Sequence, residues 1–275
     1  MKLALTIQTP DVPVQVPVAL LSGSLKEKLQ KAARLGAAGV EILTTEPASL
    51  KPRDLLEQLN LNSLQAAAVA SGGMAFAAKL TLLNPDAKKA ALARKRLNEL
   101  IDLAAALQAS VVTVGNFRGR SVEDKKRSLG QLMEILHQAG DYAVERGVVL
   151  ALEPLNRFEG DLINNVSQGI AFLMELGHPA VGLLVGTFHV NIEEASWTEP
   201  FRQAMAAHKL FHVHLSDNNH LATGRGLIDF GAILETLYTI GYKGWLSAEL
   251  LAVPNADTAA QQTMNYMGNL MKDFG

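Results

Sequence analysis

The chain has 275 residues, of which 48% are hydrophobic and 19% charged, with a formal net charge of −2 and no cysteine. This composition is typical of a globular protein, and it excludes disulfide bonds, thiolate metal sites and a strongly basic surface for nucleic acid. Residues 1–10 lack the apolar core of a signal peptide, and no stretch reaches the roughly 18 apolar residues of a membrane span. We therefore expect a cytoplasmic protein with no nucleic-acid or membrane partner.

Eight short apolar runs alternate with longer helical stretches along the chain. The runs are 3–7, 39–43, 64–70, 110–114, 148–154, 181–186, 210–217 and 244–250. Alternation without hairpin turns predicts parallel strands joined by helical crossovers. Eight such units favour a closed (β/α)8 TIM barrel over a doubly wound open sheet, and no GxGxxG motif follows the first run. No linker interrupts the pattern, so a single domain over residues 1–275 is predicted.

The helical stretches between the runs show the spacing of half-buried helices. Segment 84–107 carries one apolar stripe, formed by Leu97, Leu100, Ile101 and Ala104. Positions i, i+3, i+4 and i+7 lie on one face of a helix, so this stripe is expected to pack against the sheet. Ser121 and Asp124 have the arrangement of a capping box at the start of the next helix. A last helix is expected at about 257–271.

Ionisable residues follow three of the predicted strands at their C-terminal ends, where barrels of this type have their active sites. They are Glu153, His214 and Glu249. Side chains alternate between the two faces of a strand, and the apolar neighbours of these residues suit the face under the helices. The three ionisable side chains are therefore expected to point into the barrel. Two buried carboxylates need a cation or a proton, which predicts a divalent metal with oxygen and imidazole ligands.

Other ionisable residues are given different interpretations. His212, one layer deeper than His214, is expected to be a hydrogen-bonded core histidine. Glu41 ends the second strand and could reach the rim, but its spacing does not distinguish it. His137 and His178 lie on helices or at their ends and are assigned no role. A lone carboxylate at a strand end is more often part of a salt bridge, so it is the convergence of two carboxylates with an imidazole that favours a functional site.

Four motifs of the chain resemble, in order and spacing, the xylose isomerase-like superfamily of sugar phosphate isomerases and epimerases. They are LALEPLNRFEG (150–160), GTFHVNIEE (186–194), FHVHLSDNNHLATGRGLIDF (211–230) and GWLSAEL (244–250). Within that superfamily the sequence is most similar to the ketose 3-epimerases that act on tagatose and psicose. The likeness extends over most of the chain, and it implies a TIM barrel with sugar isomerase or epimerase activity.

The resemblance also implies roles for individual residues. Glu153 and Glu249 match the family's two metal-binding glutamates, which are also its acid/base pair, and His214 matches the histidine ligand. Glu159 and His189 match residues that hold the substrate. The implied reaction is removal of the C3 proton by one glutamate, a metal-stabilised enediolate, and return of a proton from the other glutamate on the opposite face. The implied cofactor is Mn²⁺, Co²⁺ or Mg²⁺.

Two positions depart from the family pattern. Gly186 stands where the family has an aspartate that is the fourth metal ligand, and His220 stands where it commonly has an arginine that contacts substrate. Loss of a ligand predicts a weakly bound or absent metal. Even the substitution of a residue that only hydrogen-bonds to a ligand typically lowers metal affinity about 10–100-fold.

Three functions remain open from the sequence. The leading one is a metal-dependent sugar or sugar-phosphate isomerase or epimerase with a three-ligand site. The second is a catalytically impaired or non-enzymatic protein that binds a sugar or polyol in the same pocket. The third is phosphodiester hydrolysis like that of the apurinic endonucleases of this fold, which the mildly acidic charge and the lack of extra ligands disfavour. The expected partners are a small-molecule sugar or polyol, with no evident phosphate-binding loop, and further copies of the chain in a homodimer or homotetramer.

Overall fold

The structure is a computed structural model that describes residues 1–274, and it is a closed barrel of eight parallel strands in sequential order. The strands are β1 Lys2–Gln8, β2 Gly39–Leu43, β3 Gln65–Ala70, β4 Val111–Val114, β5 Val149–Leu152, β6 Val181–Gly186, β7 Leu210–Leu215 and β8 Trp245–Ala248. Strand β1 pairs with both β2 and β8, which closes the sheet. The predicted (β/α)8 TIM barrel is confirmed.

Helices surround the barrel and connect its strands. They are α1 Leu25–Arg34, α2 Pro52–Leu61, α3 Gly72–Phe76, α4 Ala87–Ala106, α5 Lys125–Val144, α6 Val166–Leu176, α7 Thr187–Glu193, α8 Glu199–Ala206, α9 Phe230–Thr239 and α10 Ala256–Met271. Short 3-10 turns cover Pro47–Ser49, Asn116–Arg118 and Lys272–Phe274. Within residues 1–274, no helix combines the length and the apolar character that crossing a membrane requires.

The main hydrophobic core lies between the strands and the helices. The predicted stripe of α4 belongs to it, and Leu97, Leu100, Ile101 and Ala104 are all 0% exposed. Full burial of a leucine or isoleucine side chain contributes roughly 1.5–3 kcal/mol. This packing holds the helices on the sheet and so fixes the directions of the strands.

A second, smaller apolar cluster fills the inside of the barrel. It consists of Ala68, Val111, Ala151 and Leu184, one residue from each of four successive strands. Ala151 alternates with Leu150 and Leu152, which belong to the main core, so the predicted alternation holds in β5. The polar side chains of the site lie beside and above this apolar cluster, at the C-terminal ends of the strands.

The predicted capping box at the start of α5 is wrong in one residue. Asp124 is the N-cap and accepts a hydrogen bond from the backbone N–H of Arg127. Ser121 does not take part, because its hydroxyl donates to the carboxylate of Asp161 at 2.5 Å. Ser121 therefore ties the loop after β4 to the loop after β5.

Candidate active site

Strands β5, β7 and β8 bring the three predicted ligand side chains to one rim. Glu153 follows β5, and its backbone N–H still donates to Val114 of the neighbouring strand at 3.0 Å. Glu249 follows β8 in the same way, with its N–H bonded to Leu215 at 3.2 Å. His214 lies on β7 between them. Because the ladder continues to these residues, the sheet itself fixes where their side chains begin.

The side chains of Glu153, His214 and Glu249 converge on one point. The Nδ1 atom of His214 lies 3.1 Å from Oε2 of Glu249 and 3.5 Å from Oε1 of Glu153. One ligand atom from each residue lies within 4.8 Å of the others. Both Nδ1 of His214 and Oε1 of Glu153 are buried without a hydrogen-bond partner. Buried polar atoms are normally satisfied, so this oxygen and nitrogen set suits a divalent cation.

The two carboxylates have different protonation preferences. Burial raises the pKa of Glu153 to about 7, an effect that His214 only partly opposes. Burial also acts to raise the pKa of Glu249, but the charge of His214 beside it lowers the pKa below its usual value. Carboxyl groups whose environments push their pKa values apart are suited to separate acid and base roles.

Glu41 is one layer below this rim, and the structure gives it a more definite place than the sequence did. Its side chain is 0% exposed and contacts two histidines of β7. Nε2 of His214 lies 3.0 Å from Oε1, and Nε2 of His212 lies 2.8 Å from Oε2. Burial would raise the pKa of Glu41, but the two imidazoles lower it far below its usual value. The expectation that His212 is a hydrogen-bonded core histidine is met.

His189, a predicted substrate residue, is held in one orientation by Asn156. The backbone N–H of Asn156 donates to Nδ1 of His189 at 3.2 Å, and its side-chain amide lies 2.9 Å from the same atom. An imidazole that accepts at Nδ1 carries its proton on Nε2, and Nε2 lies 3.6 Å from Oε1 of Glu153. Burial lowers the pKa of His189 to about 3. His189 is therefore a neutral hydrogen-bond donor beside the candidate ligands.

A cavity of about 150 Å³ joins the predicted substrate residues to the candidate ligands. Its lining includes Glu159, His189 and His220 together with the three rim residues. The side-chain amide of Asn156 donates to Glu159 at 3.1 Å. The ring of His220 stacks on Phe188 with 4.2 Å between centroids and 9° between planes. A larger groove of about 570 Å³ between α4 and α5 contains none of the predicted site residues.

Gly186 ends β6 directly opposite His214 in the strand register. A Cβ atom added to Gly186 would lie 2.7 Å from Oε1 of Glu153 and 3.1 Å from the ring of His189. A Cβ added to Gly115, on the other side, would lie 2.7 Å from Oε2 of Glu153. The carboxylate of Glu153 therefore lies in the space between two glycines. A side chain at position 186 would point to the candidate ligands.

Two further residues support the loops around the site: Arg118, which no sequence pattern indicates, and Asp217, a polar residue at the end of the seventh predicted strand. Arg118 is 0% exposed, and its guanidinium donates to the carbonyl of Glu153 and, at 2.9 Å, to that of Ile163. Asp217 accepts backbone N–H bonds from several residues of the loop after β7, at Asn218, Gly224, Gly226 and Ile228. Arg118 acts through carbonyls 35 and 45 positions along the chain, which no local pattern reveals, whereas Asp217 organises the loop that directly follows it.

A further group of potential ligands lies on the outside of the barrel. His137 and Asp141 are on α5, and His178 precedes β6. The backbone N–H of Ala180 donates to Nδ1 of His178 at 3.1 Å, so the ring proton of His178 is on Nε2, facing Asp141 at 3.3 Å. A nitrogen that carries a proton cannot ligate a metal.

The barrel and its rim define the class of protein. The chain belongs to the xylose isomerase-like TIM barrel family, whose model matches residues 29–270.

Individual relatives narrow the comparison. The chain is 28% identical over 255 residues to an L-ribulose 3-epimerase of Methylomonas sp., which covers 90% of this chain and 86% of the relative. It is 34% identical over 194 residues to an L-ribulose 3-epimerase of Mesorhizobium japonicum, and this match covers 68% of this chain and 64% of the relative. A solved structure of an L-ribulose 3-epimerase superposes with a TM-score of 0.81 at 25% identity, covering 98% of this chain and 94% of that one. These relatives support the predicted class, a sugar isomerase or epimerase.

Proposed function

We propose that this single-domain chain is a metal-dependent sugar isomerase or epimerase of the ketose 3-epimerase type, with a metal site of three protein ligands. Glu153, His214 and Glu249 would hold the cation, and the two glutamates would transfer protons. Glu159, His189 and His220 would contact the sugar. Mn²⁺, Co²⁺ and Mg²⁺ are the proposed cations, because the donor set contains oxygen and imidazole and no thiolate.

The observation that carries this proposal is the pair of buried atoms without partners. Nδ1 of His214 and Oε1 of Glu153 face each other at 3.5 Å and have no hydrogen-bond partner. Buried nitrogen and oxygen atoms usually have a hydrogen-bond partner in the protein or an ordered water. A cation at this point would satisfy both atoms and the nearby carboxylate of Glu249.

The chemistry follows from what each residue can do. A bound divalent cation would polarise the substrate carbonyl and stabilise negative charge on its oxygen. Glu249, whose pKa lies below its usual value, suits the base that removes the C3 proton, and Glu153, whose pKa is raised, suits the acid that returns one. The Nε2–H of His189 would donate to a substrate oxygen and hold the sugar against the two carboxylates.

A second candidate function, binding of a sugar or polyol without turnover, is favoured by one observation. Gly186 supplies no side chain at the position nearest to Oε1 of Glu153. A site with fewer anionic ligands binds cations less tightly, and without the cation the enediolate would lose its main stabilisation.

Isotope exchange separates the two functions. The purified chain is incubated in D₂O with D-psicose, D-tagatose or L-ribulose, with Mn²⁺, Co²⁺ or Mg²⁺ in excess or with a chelator. The proposal predicts deuterium at C3 with metal and none with chelator. Sugar binding by calorimetry without exchange under any metal would favour the second function. The free sugars are tested before their phosphates because no phosphate-binding loop is evident.

The assembly of the chain stays a prediction. A homodimer or homotetramer is what the relatives' family implies, and light scattering of the purified protein measures it directly. A monomer would contradict this part of the proposal without affecting the chemistry of the rim.

A further inference from the structure

The buried carboxylate of Glu41 connects two parts of the barrel that are not neighbours. Strands β2 and β7 are separated in the closed sheet by β1 and β8. Glu41 nevertheless reaches across the interior and contacts both His212 and His214, more than 170 positions away in the sequence. All three side chains are buried, with exposures of 0%, 0% and 4%. Burying a charged group so far from water costs free energy unless its partners offset that cost.

The hydrogen bonds of Glu41 determine which nitrogen of His214 is available at the rim. Oε1 and Oε2 lie 3.0 Å and 3.2 Å from Nε2 of His214, so the proton of Nε2 points to the carboxylate. A cation that binds this ring displaces any proton on Nδ1, while the proton on Nε2 stays with the carboxylate of Glu41. Nδ1 is the atom that lies 3.1 Å from Glu249 and has no hydrogen-bond partner.

We propose that Glu41 is the positioning residue of the metal centre: by accepting the Nε2 proton of His214 it fixes the ring and presents Nδ1 to the cation. This inference rests on the proposed function, because it assumes a cation at the rim. Glu41 itself stays outside the ligand set, since its oxygens are directed to Nε2 of the two rings and not to the rim. Carboxylates in this position orient a ligating imidazole and increase its basicity.

His212 supports the carboxylate of Glu41 from the same layer. Nε2 of His212 lies 2.8 Å from Oε2 of Glu41 and 3.1 Å from Oγ of Ser247. Nδ1 of His212 has no partner, so its single ring proton is on Nε2 and faces Glu41. His212 therefore donates a second hydrogen bond that fixes the carboxylate, which in turn fixes His214.

The glycine at position 186 makes this support more important. A three-ligand site depends more strongly on the donor strength of each remaining ligand than a four-ligand site does. Glu41 adds negative charge behind His214 without occupying a coordination position. The buried carboxylate thus offsets part of the loss of an anionic ligand at the rim.

The test uses the full chain after a chelator has removed bound metal. Co²⁺ is titrated into this protein, and binding is measured by calorimetry and by the visible absorption of the bound ion. Glu41→Gln keeps the side-chain size and removes its charge. We expect the affinity for Co²⁺ to fall about 10–100-fold and the absorption bands to shift, because the His214 ligand changes. A variant that is merely less stable would bind less Co²⁺, but the Co²⁺ that stays bound would keep its wild-type absorption bands.

Ser247→Ala is the matched control. It removes a hydroxyl from the same buried layer, 3.1 Å from His212, and leaves the contact between Glu41 and His214 intact. We expect its Co²⁺ affinity and spectrum to match those of the wild type. Wild-type affinity and spectrum in Glu41→Gln, or an equal loss in Ser247→Ala, would overturn the inference.

A second variant keeps the test decisive if Glu41→Gln does not fold. Glu41→Asp retains the charge and shortens its reach to His214, so weaker Co²⁺ binding with shifted bands is expected, and unchanged binding overturns the inference. A wild-type chain that binds no Co²⁺ would overturn the proposed function together with this inference. Normal wild-type binding with unaffected Glu41 variants would overturn this inference alone.

Discussion

Within residues 1–274, three groups of histidine and carboxylate side chains lie close enough to share a cation: one at the rim of the barrel, the buried group of Glu41, His212 and His214 below it, and one on the outside. The rim group and the outer group are compared first. At the rim, Nδ1 of His214 has no partner and is buried. On the outside, Nδ1 of His178 accepts a backbone hydrogen bond, and its Nε2 proton faces Asp141. The atoms are similarly close in both groups, so the difference lies in the hydrogen-bond partners of the ring nitrogens.

Burial sharpens this contrast. Glu153 and His214 are 5% and 4% exposed, and their charges interact in a low-dielectric interior. The side chains of His137 and Asp141 are 54% and 66% exposed, so water solvates them and screens their attraction. Exposed pairs of this kind are common and weak, whereas the rim places two buried atoms without partners 3.5 Å apart, where one cation could contact both. The rim is therefore the place where substitutions should alter function.

The largest expected effect is on proton transfer at the rim. Glu153→Gln and Glu249→Gln each remove one group that would exchange a proton with C3, so the rate of deuterium exchange should fall about 10²–10⁴-fold. His137→Asn, in the outer group, should leave the rate unchanged. Exchange of a labelled ketose followed by NMR measures all three. An equal loss in His137→Asn would show that the two groups do not differ as described.

A restored ligand at position 186 should strengthen the rim as a metal site. Gly186→Asp is expected to raise Mn²⁺ affinity about 10-fold or more, since its side chain would begin 2.7 Å from Oε1 of Glu153. The carboxylate of Glu153 has to move to admit it, which a flexible side chain allows. Gly186→Ala adds the Cβ atom without a ligand and should not raise the affinity. A gain in Gly186→Ala, or none in Gly186→Asp, would refute the placement of residue 186.

The pH dependence of stability should reveal the burial of Glu153. Its pKa is raised from 4.5 to about 7, so the metal-free folded chain holds a proton between these values that the unfolded chain has lost. Stability from this group therefore decreases as pH rises from about 4.5 through 7. Relative to wild type, Glu153→Gln should gain unfolding free energy over this window, measured by urea denaturation with chelator present.

The matched control for this pH measurement is Glu235→Gln, on the exposed side of α9. Its side chain is exposed, so we expect the difference in unfolding free energy between this variant and the wild type to be the same at every pH in the window. A difference for Glu153→Gln that is equally flat would contradict the burial of Glu153.

The smallest expected effect is in the outer group. Asp141→Asn weakens its contacts with His137 and His178, and exposed pairs contribute about 0–1 kcal/mol. Thermal or urea denaturation should show a change no larger than this, and Mn²⁺ binding should be unaffected. Loss of a bound metal equivalent in Asp141→Asn would mean that the outer group is a cation site after all.

The fold was largely predictable from the sequence because the eight strands are buried on both faces and stand out as apolar runs. The predicted runs 39–43 and 181–186 coincide with strands. The positions of Glu153, His214 and Glu249 at the rim were predictable for the same reason, since strand alternation is a local property.

The contacts that distinguish the residues within the site were not predictable. Glu41 has the same alternation as its neighbours, and only the closed barrel brings it to His214, on a strand that is not adjacent to its own. Arg118 reaches the carbonyl of Glu153 through a loop with no regular pattern. Such contacts depend on three-dimensional closure and not on spacing along the chain.

The most direct measurement is the number of Mn²⁺ ions bound per chain, by equilibrium dialysis of the wild type, His214→Ala and His178→Ala. We predict one ion in the wild type, none in His214→Ala and one in His178→Ala, because at the rim Nδ1 of His214 lies between two carboxylates without a hydrogen-bond partner. Binding that survives His214→Ala and disappears in His178→Ala would contradict the account, as would a wild-type chain that binds no ion.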